Sequence, residues 1–332
     1  MMITRKRAGM AVQTSSNAAL AEQVSTRTDV HQLFKSSGIV GSTMTKGGWC
    51  LQEGLAHIVN ADHTGRLLSI VRQHGLPKIY DLVQVSVSCR HESSSSSSSS
   101  PGTTPVPPPA TAPQNCFQSL CRIIAGQQLA GAAARAMWVR LLQVVSTTTT
   151  DSSNLNPTSI LRLAEQGVEE HLQKPAGLSR AKASSIVALA TAFEKGELTE
   201  DFFISPTSTE ADIRNALLPI KGIGPWTCDM FLMFYLEKGN VMPLGDLGVR
   251  KGIAKFFELT GRGPKQSLCQ VKDKDLMERT LAPFEPYQSL VAYYMWVVAD
   301  TKDFYREEDK SSSTFEVDTS QKEVKTKRKR KS

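Results

Sequence analysis

A chain of 332 residues, 40% hydrophobic and 21% charged, has enough material for one sizeable core or two small ones. Its net charge of +7 admits an anionic partner, but six of those charges fall in the last eleven residues, where seven lysines and arginines outnumber Glu323. The remainder is close to neutral, which excludes a generally basic protein; any grip on nucleic acid must come from local arrangement.

In chain order, residues 1–46 carry Arg5, Lys6, Arg7 and Arg27 and lack the continuous apolar stretch of a secretory signal. They are expected to form a disordered leader, with an organelle transit peptide as the alternative. Ordered chain is expected from Gly47, over an N-terminal helical part at 47–88. There Leu51, Leu55, Ile58 and Val59, then Leu67, Leu68 and Val71, keep helical spacing, and Gly75-Leu76-Pro77 ends the second helix. Residues 89–113 hold a pure serine run, Ser93 to Ser100, and a Pro-rich stretch, and are read as a disordered insertion inside one domain.

The main domain is expected over 114–304. Asn115 to Val145 reads as two helices, striped by Phe117, Leu120, Cys121 and Ile124 and by Met137, Trp138, Leu141, Leu142 and Val145. Their connection contains Gln127, Gln128 and Leu129. After a polar loop, a helix runs from Gly177 to about Lys195, with Arg180 and Lys182 read as solvated charges and phosphate contacts as the alternative. Thr209 and Asp212 have the spacing of a capping box. The run Pro283 to Asp300 is dense in aromatics, with Tyr293, Tyr294 and Trp296; its apolar part, Leu290 to Ala299, is about half a bilayer span, so a buried helix is expected and no membrane partner. Residues 305–332 end in K-T-K-R-K-R-K-S, a basic tail that reads as a nuclear import signal or a DNA-binding arm.

The chain is organised around Leu217 to Lys251. Lys221, Gly222, Ile223 and Gly224 make a G-x-G turn between two helical patterns, and Pro225 suits the first turn of the second helix. Such a turn leaves backbone N–H groups at the positive end of a helix, a geometry that suits a phosphate oxygen. A plain tight turn uses the same residues. Asp246 lies 24 residues after Gly222, directly before a renewed apolar pattern at Val249, Ile253 and Phe256, and is expected to be an N-cap.

K-G-I-G-P-W-T followed by P-L-G-D-L-G-V-R resembles the signature of the helix-hairpin-helix Gly-Pro-Asp (HhH-GPD) superfamily of base-excision DNA glycosylases. The resemblance is greatest to the 3-methyladenine glycosylase branch of bacterial AlkA and the yeast-type enzymes. I-I-A-G-Q-Q-L, G-L-S-R-A-K-A and P-Y-Q-S-L-V-A-Y-Y-M-W also resemble family segments, although Gln288 stands where an Arg is usual. The resemblance implies a mostly α fold of two helical subdomains with the active-site cleft between them. It implies Asp246 as the catalytic carboxylate and Trp226, Trp296, Met230 and Tyr293 as the base pocket. Gln127, Gln128 and Leu129 would supply the side chain that enters the DNA stack, and Lys221, Gly222, Ile223 and Gly224 would hold the backbone. The partner would be double-stranded DNA with alkylated bases, bound by a monomer. The six cysteines show no metal spacing and none follows Cys269, so the iron–sulfur loop of some relatives is excluded. No organic cofactor is implied, and a monovalent cation on the hairpin carbonyls is an open expectation.

Alkylation at purine N3 or N7 puts positive charge on the base, so the pocket needs aromatic faces and one carboxylate more than leaving-group activation. Bifunctional relatives carry a nucleophilic Lys where this chain has Trp226, so a monofunctional hydrolase is expected. A catalytically silent DNA-binding module, or a glycosylase for another damaged base, are the alternatives. The tail points to the nucleus; a plastid or mitochondrial address in the leader is the alternative.

Overall fold

The computed structural model describes residues 29–36, 44–77, 112–129, 131–146 and 154–301. Among them all regular structure is helical, apart from one isolated bridge between Met44 and Cys50. The mostly α expectation holds. The leader boundary needs correction, because residues 29–36 form a helix, α1. Val30 and Phe34 lie one turn apart on it and both enter the core. Residues 1–28 and 37–43 of the leader, residues 78–111, which hold the end of the N-terminal part and most of the insertion, and the chain from 302, which holds the basic tail, fall outside the described residues.

Helices α2 (Leu51–Ala61) and α3 (Arg66–His74) bury the stripes read from the sequence, with Leu55, Ile58, Leu67 and Val71 at 1% exposure or less. They belong with the far end of the chain. The Trp49 indole donates to Glu237 O (2.6 Å), the Tyr294 hydroxyl donates to Gly75 O (3.1 Å), and Arg66 pairs with Glu258 (2.8 Å).

A second group comprises α4 (Cys116–Gly126), α5 (Gly131–Val145), α6 (Pro157–Gly167), α7 (Arg180–Glu194), α8 (Glu200–Ile204), α9 (Glu210–Leu217) and α10 (Pro225–Phe234). Asn115, Asn156, Ser179 and Thr209 cap four of these helices by accepting the N–H three residues on. Each such cap stabilises its helix by about 0.5–2 kcal/mol. The Thr209–Asp212 capping box is complete.

The chain then returns to the first group through α11 (Leu247–Phe256), α12 (Lys274–Leu281) and α13 (Gln288–Asp300). Helices α11 and α13 approach closely because Gly248 and Gly252 share one face of α11. A Cβ on Gly252 would stand 2.0 Å from Met295 O, and one on Gly248 2.8 Å from Trp296 Cδ1. One continuous apolar core joins both groups. The two lobes meet where α10 leads into the loop before α11, and Asp246 sits at that junction.

Candidate active site

Asp246 is the N-cap of α11, as its position before the apolar stripe predicts: its Oδ1 accepts from Val249 N at 3.0 Å. The same oxygen accepts from the Trp296 indole N–H at 2.9 Å, while Oδ2 accepts from the Trp226 indole N–H at 2.9 Å. One indole comes from α10 in one lobe and the other from α13 in the opposite lobe. The carboxylate is therefore held from both sides of the junction. Partial burial pushes its pKa up, but the bonds from Val249 N–H, the two indoles and Gly248 N–H outweigh this and hold it below the ordinary carboxylate value. Asp246 is ionised at neutral pH.

Backbone geometry fixes this arrangement. Arg250, one turn into α11, donates to Leu244 O (3.0 Å) and Gly245 O (3.4 Å), bracing the loop that delivers Asp246. Trp296 stacks on Phe234 of α10 with ring centroids 5.7 Å apart and 26° between planes. Both indoles remain partly exposed. Met230 and Phe234 follow Trp226 at four-residue steps on α10, and Tyr293 precedes Trp296 by three on α13. Met230 is buried, whereas Tyr293 is half-exposed and packs edge-on against Tyr294. Gln288 donates to Leu281 O (3.1 Å) at the end of α12, so its side chain serves the fold.

The hairpin lies at the start of α10. Gly222 has φ +82°, and a Cβ there would meet Ser185 Oγ at 1.8 Å, so only glycine fits. Gly224 is extended and faces open space; Lys221 is exposed. Ile223 is buried, so its side chain belongs to the core and only its backbone serves the turn. Among the hairpin carbonyls, Ile220 O accepts from Ile223 N and Gly224 O from Cys228 N. These neutral oxygens are the donor type a monovalent cation takes.

The other DNA-facing candidate is the turn after α4. Gln128 has φ +58° and is exposed, as is Leu129 at 36%. Gln127 differs: its amide nitrogen donates to Gly222 O (3.1 Å) and Thr227 Oγ1 (3.0 Å), so it is engaged with the hairpin. Lys182 also departs from expectation. Its Nζ donates to Ala125 O at 2.8 Å in the last turn of α4, and burial lowers its pKa, whereas Arg180 is exposed as expected. Sequence reading missed Arg250, Phe234, Thr227, Gly248 and Gly252. The only signal for the glycines was their four-residue spacing on one helix face.

The family model described as HhH-GPD superfamily base excision DNA repair protein matches residues 121–274. The DNA-3-methyladenine glycosylase of Saccharomyces cerevisiae is 26% identical over 208 residues, covering 56% of this chain and 67% of that protein. DNA-3-methyladenine glycosylase 1 of Schizosaccharomyces pombe is 26% identical over 194 residues, covering 57% and 74%. The solved structure of S. pombe 3-methyladenine DNA glycosylase (Mag1) in complex with abasic DNA aligns with a TM-score of 0.48 at 22% identity, covering 71% of this chain and 98% of that one. Over residues 121–274 the chain is thus similar to the HhH-GPD superfamily of base excision DNA repair proteins.

Proposed function

We propose that this protein is a monofunctional DNA glycosylase that releases alkylated purines, 3-methyladenine and 7-methylguanine, from duplex DNA and leaves an abasic site. The observation that carries this reading is the clamp of Trp226 and Trp296 on Asp246. Each indole directs its N–H edge at the carboxylate, and donation to an anion enriches the electron density of the ring face. Those faces are suited to a cationic base, at roughly 0.5–2 kcal/mol each in a desolvated site. A neutral base stacks on the same faces without the charge attraction. The names of the S. cerevisiae and S. pombe relatives support the same substrate class.

The damaged nucleotide must leave the stack to reach this site. As the glycosidic bond breaks, its electron pair leaves with the base and neutralises the base's charge. Positive charge develops on the sugar, where ionised Asp246 stabilises it. Water then supplies the hydroxyl at C1′ and its proton passes to solvent. A carboxylate with hydrogen bonds on both oxygens is a weak base, so Asp246 acts chiefly by its field. The donors to Asp246 among the described residues are two indoles and backbone N–H groups, and Trp226 occupies the position of the nucleophilic Lys, which favours hydrolysis over a Schiff-base route. A monovalent cation, where bound, would be held by the hairpin oxygens and would add positive potential for a phosphate.

The test is base release from duplexes containing 3-methyladenine, 7-methylguanine, hypoxanthine, uracil or 8-oxoguanine, with strand nicking scored separately. The cationic bases are expected to be released fastest, with no nicking before alkali. Preferred release of 8-oxoguanine or direct nicking would overturn this reading, and no release of any base would favour a silent DNA-binding role.

A further inference from the structure

Gln127 lies beside the two exposed residues of the α4–α5 turn, yet its own side chain is only partly exposed and is engaged with the hairpin. Both amide hydrogens are used, on Gly222 O and on Thr227 Oγ1. The first acceptor is a carbonyl, so only the amide nitrogen can face it and the orientation is chemically fixed. Thr227 is 2% exposed in the first turn of α10. The bridge thus spans 95 residues of sequence and joins the turn carrying Gln128 and Leu129 to the hairpin carrying Gly222.

A second link runs beneath it. Helix α7 presents Lys182 to the last turn of α4 through Ala125 O and Ser185 to the hairpin, where Gly222 has no room for a Cβ. The turn and the hairpin therefore rest on one helix and are joined across its top by one side chain.

We propose that Gln127 is a positioning residue: it locks the Gln128–Leu129 tip to the hairpin, so that entry of the tip into the duplex and the hairpin's hold on the backbone occur as one rigid movement. It does so without touching DNA. This rests on the DNA-repair reading above, but its test does not need base release. Without the bridge, the tip keeps its exposed side chains but loses its fixed height above the backbone. Binding to intact duplex, which needs only the hairpin and surface charge, is unaffected.

The experiment uses the full chain and two duplexes, one intact and one with a tetrahydrofuran abasic-site analogue opposite 2-aminopurine, whose fluorescence reports insertion into the stack. Gln127→Ala is expected to lower the preference for the abasic over the intact duplex about tenfold, the scale of one to two lost neutral hydrogen bonds, and to reduce the fluorescence change. Thr227→Val, isosteric and less disruptive to folding, should lower the preference about threefold by removing one of those bonds, while Thr227→Ser should retain the wild-type value. Because Thr227 acts through Gln127, the double variant should lose no more than Gln127→Ala alone. Wild-type preference and fluorescence in Gln127→Ala, or additive losses in the double variant, would overturn the proposal. A wild-type protein that leaves the probe unperturbed would overturn it too, since there is then no insertion to position; the glycosylase reading is judged separately by base release.

Discussion

The carboxylate centre and the DNA-facing turns are built by opposite means. Asp246 is fixed by indole and backbone N–H donors from two lobes, a braced loop, and two helices in glycine-mediated contact. The tips at Gln128, Leu129 and Lys221 are exposed, and one amide side chain joins the turn to the hairpin. A catalytic group benefits from having its position over-determined, because misplacement weakens its effect at the reacting atom. A surface that must enter and leave a duplex needs fixed relative positions with exposed tips. The difference suggests that damage to the first region abolishes chemistry or folding, while damage to the second changes discrimination between DNA forms.

The largest effect is expected at the α11–α13 contact. Gly252→Ala brings a Cβ to 2.0 Å from Met295 O, and the helices must separate. We expect a loss of about 3 kcal/mol in chemical denaturation, at the upper end for overpacking. An unchanged midpoint would show that the contact gives way easily, and that rigidity does not distinguish this region.

Gly222→Ala comes next, with about 2 kcal/mol from left-handed backbone and the clash with Ser185. Pairing it with Ser185→Ala should relieve the contact with Oγ, leaving the 2.8 Å approach to the residue 185 Cβ and the φ +82° penalty. Full recovery would place the whole cost in the Oγ contact, and none would show that this contact costs nothing.

The clamp itself gives a pH signature. Asp246 has a depressed folded-state pKa, so its contribution to stability is present above the unfolded value and is lost as pH falls through the folded value. Its activity follows the same ionisation. Trp296→Phe removes one hydrogen bond and should move the acid limb of base release upward in pH, towards the ordinary carboxylate range. A limb that stays in place would mean that Trp296 does not tune the carboxylate.

The smallest contrast separates two neighbouring charges. Lys182→Met removes the bond to Ala125 O and should cost about 1 kcal/mol, while exposed Arg180→Met should stay within about 0.5 kcal/mol. Equal effects would erase the distinction drawn between a brace and a solvated charge.

How much of this was legible in the sequence follows the same division. The stripes at Leu55, Ile58, Ile253 and Phe256, the cap at Asp246 and the Thr209–Asp212 box rest on local spacing, and all appear as read. The helix at 29–36 was missed because Val30 and Phe34 alone make too short a stripe to separate from a polar leader. Gln127 goes to DNA by the resemblance of the whole I-I-A-G-Q-Q-L turn; its side-chain acceptors lie 95 and 100 residues away. Lys182 reads as a solvated helix charge because its acceptor is 57 residues distant. Long-range partners leave no periodic trace, so positioning residues were the part that spacing could not reveal. That Trp226 and Trp296 meet on one carboxylate was likewise invisible, although both tryptophans stood out through the resemblance.

The central claim, that the clamped carboxylate is the centre of base release, is tested most directly with Asp246→Asn in single-turnover assays on 7-methylguanine duplex. The amide cannot carry the negative charge, and its NH2 would face an indole N–H, so base release should fall at least about a thousandfold. Affinity for the damaged duplex should be retained or raised, because a negative charge near phosphate has been removed. Base release at the wild-type rate by a folded Asp246→Asn protein would contradict the account.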